Sequence, residues 1–168
     1  MMSAPVLEID IDPLWGEETD WEALACNAAE AVSRIVPELA HDCFLVSLVL
    51  AGDEEVHALN RQWRAKDKPT NVLSFPMLSR DEVLRAARNP DAPCMLGDLI
   101  LAHGVCVREA ADKGVAVETH AAHLIVHGLL HLAGYDHEQG DAEAEEMEGL
   151  ERKVLALMGI ADPYAVED

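Results

Sequence analysis

Positive charge and aromatic rings are both scarce in this chain. Its 168 residues carry 12 Lys and Arg against 32 Asp and Glu, for a formal net charge of -20, and aromatics make up 4%. A surface of that sign repels polyanions, so the bulk composition speaks against nucleic acid as a ligand. No stretch approaches the roughly 18 consecutive apolar residues that a membrane helix needs. The opening MMSAPVLEIDID has neither the basic start nor the apolar centre of a secretory signal. A cytoplasmic protein is expected. The four cysteines, Cys26, Cys43, Cys94 and Cys106, form no C-x-x-C pair. Their scatter excludes zinc ribbons and thioredoxin-type redox motifs and leaves packed thiols in a reducing compartment.

What is present is enough for one domain over residues 1–168, since half the residues are apolar and a chain of this length buries a sizeable core. VLEIDI (Val6 to Ile11) alternates apolar and acidic residues like a half-buried strand. Asp20 caps a helical period that Pro37 ends. CFLVSLVLA (Cys43 to Ala51) reads as a central strand, and Glu54 to Trp63 as a helix behind Gly52-Asp53. NVLSF (Asn71 to Phe75), stopped by Pro76, suits an edge strand, and Met77 to Pro93 is a charged excursion with two prolines. MLGDLILA (Met95 to Ala102) gives a fourth strand, and a helix from Val105 to Lys113 closes at Gly114. Glu118 to Ala133 is apolar on nearly every side, which predicts a buried central helix. Asp141 to Met158 makes an amphipathic last helix with its acids crowded into the first half. The result is an α/β pattern of four strands and about five helices.

The basic residues are not spread evenly. Seven of them, Arg61, Arg64, Lys66, Lys68, Arg80, Arg85 and Arg88, fall between Val56 and Pro90, against Asp67, Asp81 and Glu82. An anionic ligand would be met on that stripe, whatever the rest of the surface repels.

The stretch HGLLHLAGYDH, His127 to His137, holds the chemistry. His127 and His131 stand one helical turn apart on the same face, close enough to share a metal ion. Gly134 can take the left-handed conformation that ends the helix and returns His137 as third ligand. Three neutral imidazoles suit one zinc ion and leave a fourth position for water, the catalytic rather than the structural arrangement. His120 and His123 share the helix face but sit too far from this trio to be ligands; His123 reads as a helix-packing residue, with hydrogen bonding behind the metal site as the alternative, and His41, His57 and His103 stand alone. In zinc peptidases a glutamate follows the first histidine and accepts the proton of the attacking water. Here Gly128 occupies that place. Its presence argues against peptide hydrolysis and toward an anionic substrate, for which a cation near the metal does the stabilising.

With these residues in view, the chain resembles the YbeY family of metal-dependent, single-strand-specific endoribonucleases. HGLLHLAGYDH is similar to the family signature, LNRQWRAKDKPTNVLSFP (Leu59 to Pro76) to its second block, and LGDLILA and the acidic last helix continue the likeness. The resemblance implies a compact α/β domain with a small mixed four-stranded sheet, zinc on His127, His131 and His137, and a functional arginine at Arg64. Arg61, Lys66 and Lys68 would then position RNA. It also implies a role in ribosomal RNA maturation, at the 3′ end of the small-subunit RNA, and in ribosome quality control. The small ribosomal subunit and the GTPase Era are the implied partners. One departure is Asn71, where the family usually has aspartate; Ser74 and Asp98 read as structural. Two other readings stay open: an assembly factor whose zinc site is mainly structural, and a zinc peptidase.

Overall fold

Four strands, β1 (Val6–Ile11), β2 (Phe44–Ala51), β3 (Val72–Pro76) and β4 (Cys94–Ala102), form one sheet in the order β1-β2-β4-β3. β1 and β4 run parallel to β2, and β3 is antiparallel to β4. The sheet is therefore mixed, with β3 on an edge as its terminal proline requires. The structure, a computed structural model, describes residues 3–66, 70–135 and 140–163.

Six helices accompany the strands: α1 (Trp21–Ile35), α2 (Asp53–Arg64), α3 (Arg80–Arg88), α4 (His103–Lys113), α5 (Val117–Leu132) and α6 (Asp141–Leu157). Five of these match the sequence reading to within one or two residues. The sixth, α3, lies inside the stretch read as a charged excursion. It is nucleated by a capping box, Ser79 accepting from Glu82 N–H while the Glu82 carboxylate accepts from Ser79 N–H. It buries one side chain alone, Val83, too little apolar periodicity to announce a helix.

Because side chains alternate along a strand, the sheet has two dissimilar faces. Val46, Leu48, Leu50, Leu96, Leu99 and Leu101 enter the main core with α1, α5 and α6. Ala51, Leu73, Ile100 and Ala102 form a smaller cluster with Val56 of α2. Within the main core α5 touches α1, α4, α6, β3 and β4. From His120 to Ala133 every residue is buried except His127 and His131. Beyond its first turn the central helix thus shows the outside only these two imidazoles. Among the described residues no helix is long and apolar enough to cross a membrane.

Candidate active site

His127 and His131 lie with ring centroids 5.1 Å apart, as expected for residues one turn apart on one helix face. Both line a cleft of about 240 Å³ together with Asn60, Arg64 and Lys66 from the end of α2 and Asn71 to Ser74 from β3. The cleft exists because α2 and β3 both reach the same end of α5. The α2 terminus is shaped by Ala65, which takes the left-handed conformation at φ 55° and ψ 29°. Among the described residues it is the one non-glycine with positive φ. Such a conformation costs on the order of 1 kcal/mol and turns the chain between the two cations Arg64 and Lys66.

Glu151 of α6 supplies what the imidazoles need behind them. Its side chain is fully buried; Oε1 lies 2.5 Å from Nδ1 of His127 and Oε2 lies 3.1 Å from Nε2 of His123. A carboxylate only accepts, so the His127 Nδ1–H donates, and the neutral ring keeps its lone pair on Nε2, at the opposite side of the imidazole. This donor set suits a zinc-type ion: two imidazoles in reach of one point, one of them backed by a carboxylate.

Gly128 has a structural explanation. A Cβ there would lie 2.6 Å from Cδ2 of Leu99, so the position is the close approach of α5 to β4 and faces the core. The peptidase glutamate has no room at this position, and a residue there would not reach the cleft. Gly134, at φ 102°, ends α5 in a Schellman turn: Tyr135 N–H donates to Leu130 O and Gly134 N–H to His131 O. The turn is held from outside by Arg80, which donates to Ala133 O at 3.0 Å, pairs with Glu38 at 2.6 Å and lies 4.5 Å over the Tyr135 ring. The glycine-directed return read from the sequence is therefore formed as far as Tyr135. His137, the expected third ligand, lies outside the described residues, as does Lys68. Among the described residues no group of three or more His, Cys, Asp or Glu is placed to hold a metal. Arg64 and Lys66 line the cleft, whereas Arg61 is exposed on α2 and is not among the lining residues.

A family profile described as Endoribonuclease YbeY matches residues 15–159. The chain belongs to that family. It is 77% identical over 167 residues to the Endoribonuclease YbeY of Novosphingobium aromaticivorans, covering 99% of this chain and 100% of that one. The Erythrobacter litoralis protein of the same name is 56% identical, covering 94% of this chain and 96% of its own. A solution structure of a Thermotoga maritima protein superposes with a TM-score of 0.55 at 25% identity, covering 95% of this chain and 100% of that one. The YbeY fold, a four-stranded mixed sheet with helices, is thus shared along nearly the whole length.

The Asn71 departure from the usual YbeY block finds its partner in the structure. Asn71 Nδ2 donates to Glu109 Oε1 at 2.9 Å, and its Oδ1 accepts from Val72 N–H at 2.7 Å. Glu109 also receives His120 Nε2–H at 2.8 Å. Burial pushes the Glu109 carboxyl up, but the hydrogen bonds from His120 and Asn71 together outweigh it and hold it below the ordinary range. Burial holds His120 below the ordinary imidazole value against the pull of Glu109. An aspartate at position 71 would offer Glu109 no donor. Ser74 lines the cleft, beyond its expected structural role. Asp98 does not; it borders a separate groove with Phe75 and Trp63. Sequence reasoning missed Asn60, a buried polar residue at the cleft, and Glu151. Asn60 stood in the Leu59 to Pro76 block without being singled out, and Glu151 was hidden among the many acids of its helix.

Proposed function

We propose that this chain is a metal-dependent endoribonuclease that cleaves single-stranded RNA during ribosomal RNA maturation. The observation that carries the reading is the convergence, in one cleft, of two metal-competent imidazoles with Arg64 and Lys66. It is supported by membership of a family whose curated members are called endoribonucleases.

His127 and His131, with His137 as the third ligand, would hold one zinc ion. When bound, such an ion lowers the pKa of water and offsets negative charge on a phosphodiester. The rest of the work belongs to the chain. The guanidinium of Arg64 grips a phosphate through two parallel hydrogen bonds and stabilises the charge that develops on its oxygens. Lys66, Lys68 and Arg61 draw the strand in by charge. A single strand suits a cleft lined by two cations that can follow its backbone. The substrate we assign is the 3′ region of the small-subunit RNA, presented on the small ribosomal subunit, with the GTPase Era as a partner in that setting and the cytoplasm as its place.

The peptidase alternative loses its support at Gly128, which faces Leu99. The structural-zinc alternative is disfavoured by the partly exposed setting of His127 and His131 on a cleft, since stapling sites are closed. The deciding experiment compares RNA cleavage by zinc-loaded protein, chelated protein and Arg64→Ala. The proposal requires activity in the first and its loss in the other two; equal cleavage by all three overturns it.

A further inference from the structure

α6 is a strongly acidic helix, yet its acids are not equivalent. Glu143, Glu145 and Glu146 are exposed and Glu148 is half-buried, whereas Glu151 has no exposure at all. A carboxylate taken wholly out of water is destabilising unless its oxygens are paired. Glu151 has both oxygens engaged, each by a histidine of α5, at 2.5 Å to His127 and 3.1 Å to His123.

The two contacts differ in what lies behind them. The His127 side chain is 23% exposed and lines the cleft; that of His123 is 10% exposed and does not line it. The order leading away from the cleft is therefore His127, Glu151, His123, with Glu151 the deepest and His123 bordering a second groove. A carboxylate bound through one oxygen is free to rotate about its last torsion. A second hydrogen bond on the other oxygen fixes its plane and so aims the first. The rings of His123 and His127 are 6.5 Å apart and nearly perpendicular, at 84°, so a single carboxylate between them serves both without the imidazoles competing for one oxygen.

We propose that Glu151 is the positioning residue of the metal centre. It accepts the Nδ1–H of His127, fixes that tautomer and ring plane, and leaves Nε2 as the coordinating atom toward the cleft, while His123 anchors the carboxylate from behind. The proposal rests on the assignment of His127 as a ligand. It adds that α6, which brings no ligand of its own, sets how strongly the ion is held.

A purely structural role, clipping α6 to α5, has different consequences. The test uses the full chain stripped of metal, with zinc as the probe in competition with a chromophoric chelator, for wild type, Glu151→Gln, His123→Ala and His127→Ala. Side-chain 15N NMR of the metal-free wild type reads the His127 tautomer. Glutamine keeps the shape and an acceptor but removes the negative charge, so Glu151→Gln is expected to bind zinc about 10- to 100-fold more weakly with little change in metal-free melting. His127 is expected to carry its proton on Nδ1. If Glu151→Gln binds zinc like wild type while His127→Ala does not, Glu151 is a clip and the proposal fails with the metal assignment intact. If His127→Ala also binds like wild type, the metal assignment itself is wrong. Should Glu151→Gln not fold, the tautomer and His123→Ala decide: a proton on Nε2 in wild type, or undiminished zinc affinity in His123→Ala, overturns the proposal.

Discussion

Two charged residues of opposite sign stand near His127: Arg64 shares its cleft, and Glu151 accepts from its Nδ1–H. Arg64 ends α2 on the exposed rim of the cleft, and Glu151 sits in the middle of α6 with no exposure. In the proposed reading the rim residue meets the substrate in water, where a charge is cheap to keep. The buried one acts at hydrogen-bond range on a protein group, where water would loosen it. A catalytic centre of this kind needs both: an outer charge free to bind an anion, and an inner charge whose surroundings allow it one geometry.

The sharpest way to break this division is to place an inner charge on the wrong wall. Gly128→Glu restores the sequence pattern of a zinc peptidase, but the new side chain starts 2.6 Å from Leu99 in the core. Overpacking and a buried unpaired carboxylate together should cost on the order of 5 kcal/mol. The expected outcome in denaturant unfolding is a largely unfolded protein with no peptidase activity. A stable Gly128→Glu protein that cleaves peptides would show that this helix face has been misread.

Removing the outer charge should leave the fold alone. Arg64→Ala is expected to slow RNA cleavage by about 3 to 4 kcal/mol, or a few hundredfold, with unchanged circular dichroism and unchanged zinc content. A parallel loss of zinc would mean that rim and interior are one coupled unit.

How much of this was readable in the sequence follows the same division. The strands and five helices are long, periodic and bounded by Pro37, Pro76 or Gly114, and they stand where the pattern put them. The basic stripe was visible because cations are rare in this chain and cluster there; within it Arg64 was singled out by the family resemblance. His127 and His131 were visible because helical spacing fixes their relation. α3 was not legible, because its stability comes from a capping box and from Arg80 docking on the α5 terminus rather than from apolar periodicity. Glu151 was not legible either: one glutamate of many in α6 becomes special only when α6 packs on α5, a long-range event that local pattern does not encode. Gly128 was read as a missing base; in three dimensions it is a packing position, and the absence of a base there is a consequence of that.

A smaller effect sharpens the outer half of the comparison. Lys66 lines the cleft beside Arg64, and the role proposed for it is binding rather than chemistry. Lys66→Glu is expected to weaken single-stranded RNA binding about tenfold at low salt, and to make the dependence on salt shallower, because one fewer counterion is released. The turnover of bound RNA in a single-turnover assay should change little. If turnover falls as far as in Arg64→Ala, the two cations share one role.

The smallest expected effect concerns the residue between them. Ala65 holds a left-handed conformation that glycine adopts without steric cost, so Ala65→Gly removes strain from the fold while giving the unfolded chain more freedom. These two changes oppose each other, and the net stability should shift by less than about 1 kcal/mol. The consequence for function does not cancel in the same way. Alanine restricts the link between Arg64 and Lys66 to few conformations, and glycine opens many, so the pair would be less well ordered before RNA arrives. RNA affinity should fall a few-fold while thermal unfolding stays nearly unchanged. Should Ala65→Gly bind and cleave RNA as wild type does, the left-handed turn is only a helix terminator, and the cations on the rim act as independent charges rather than as an arranged pair.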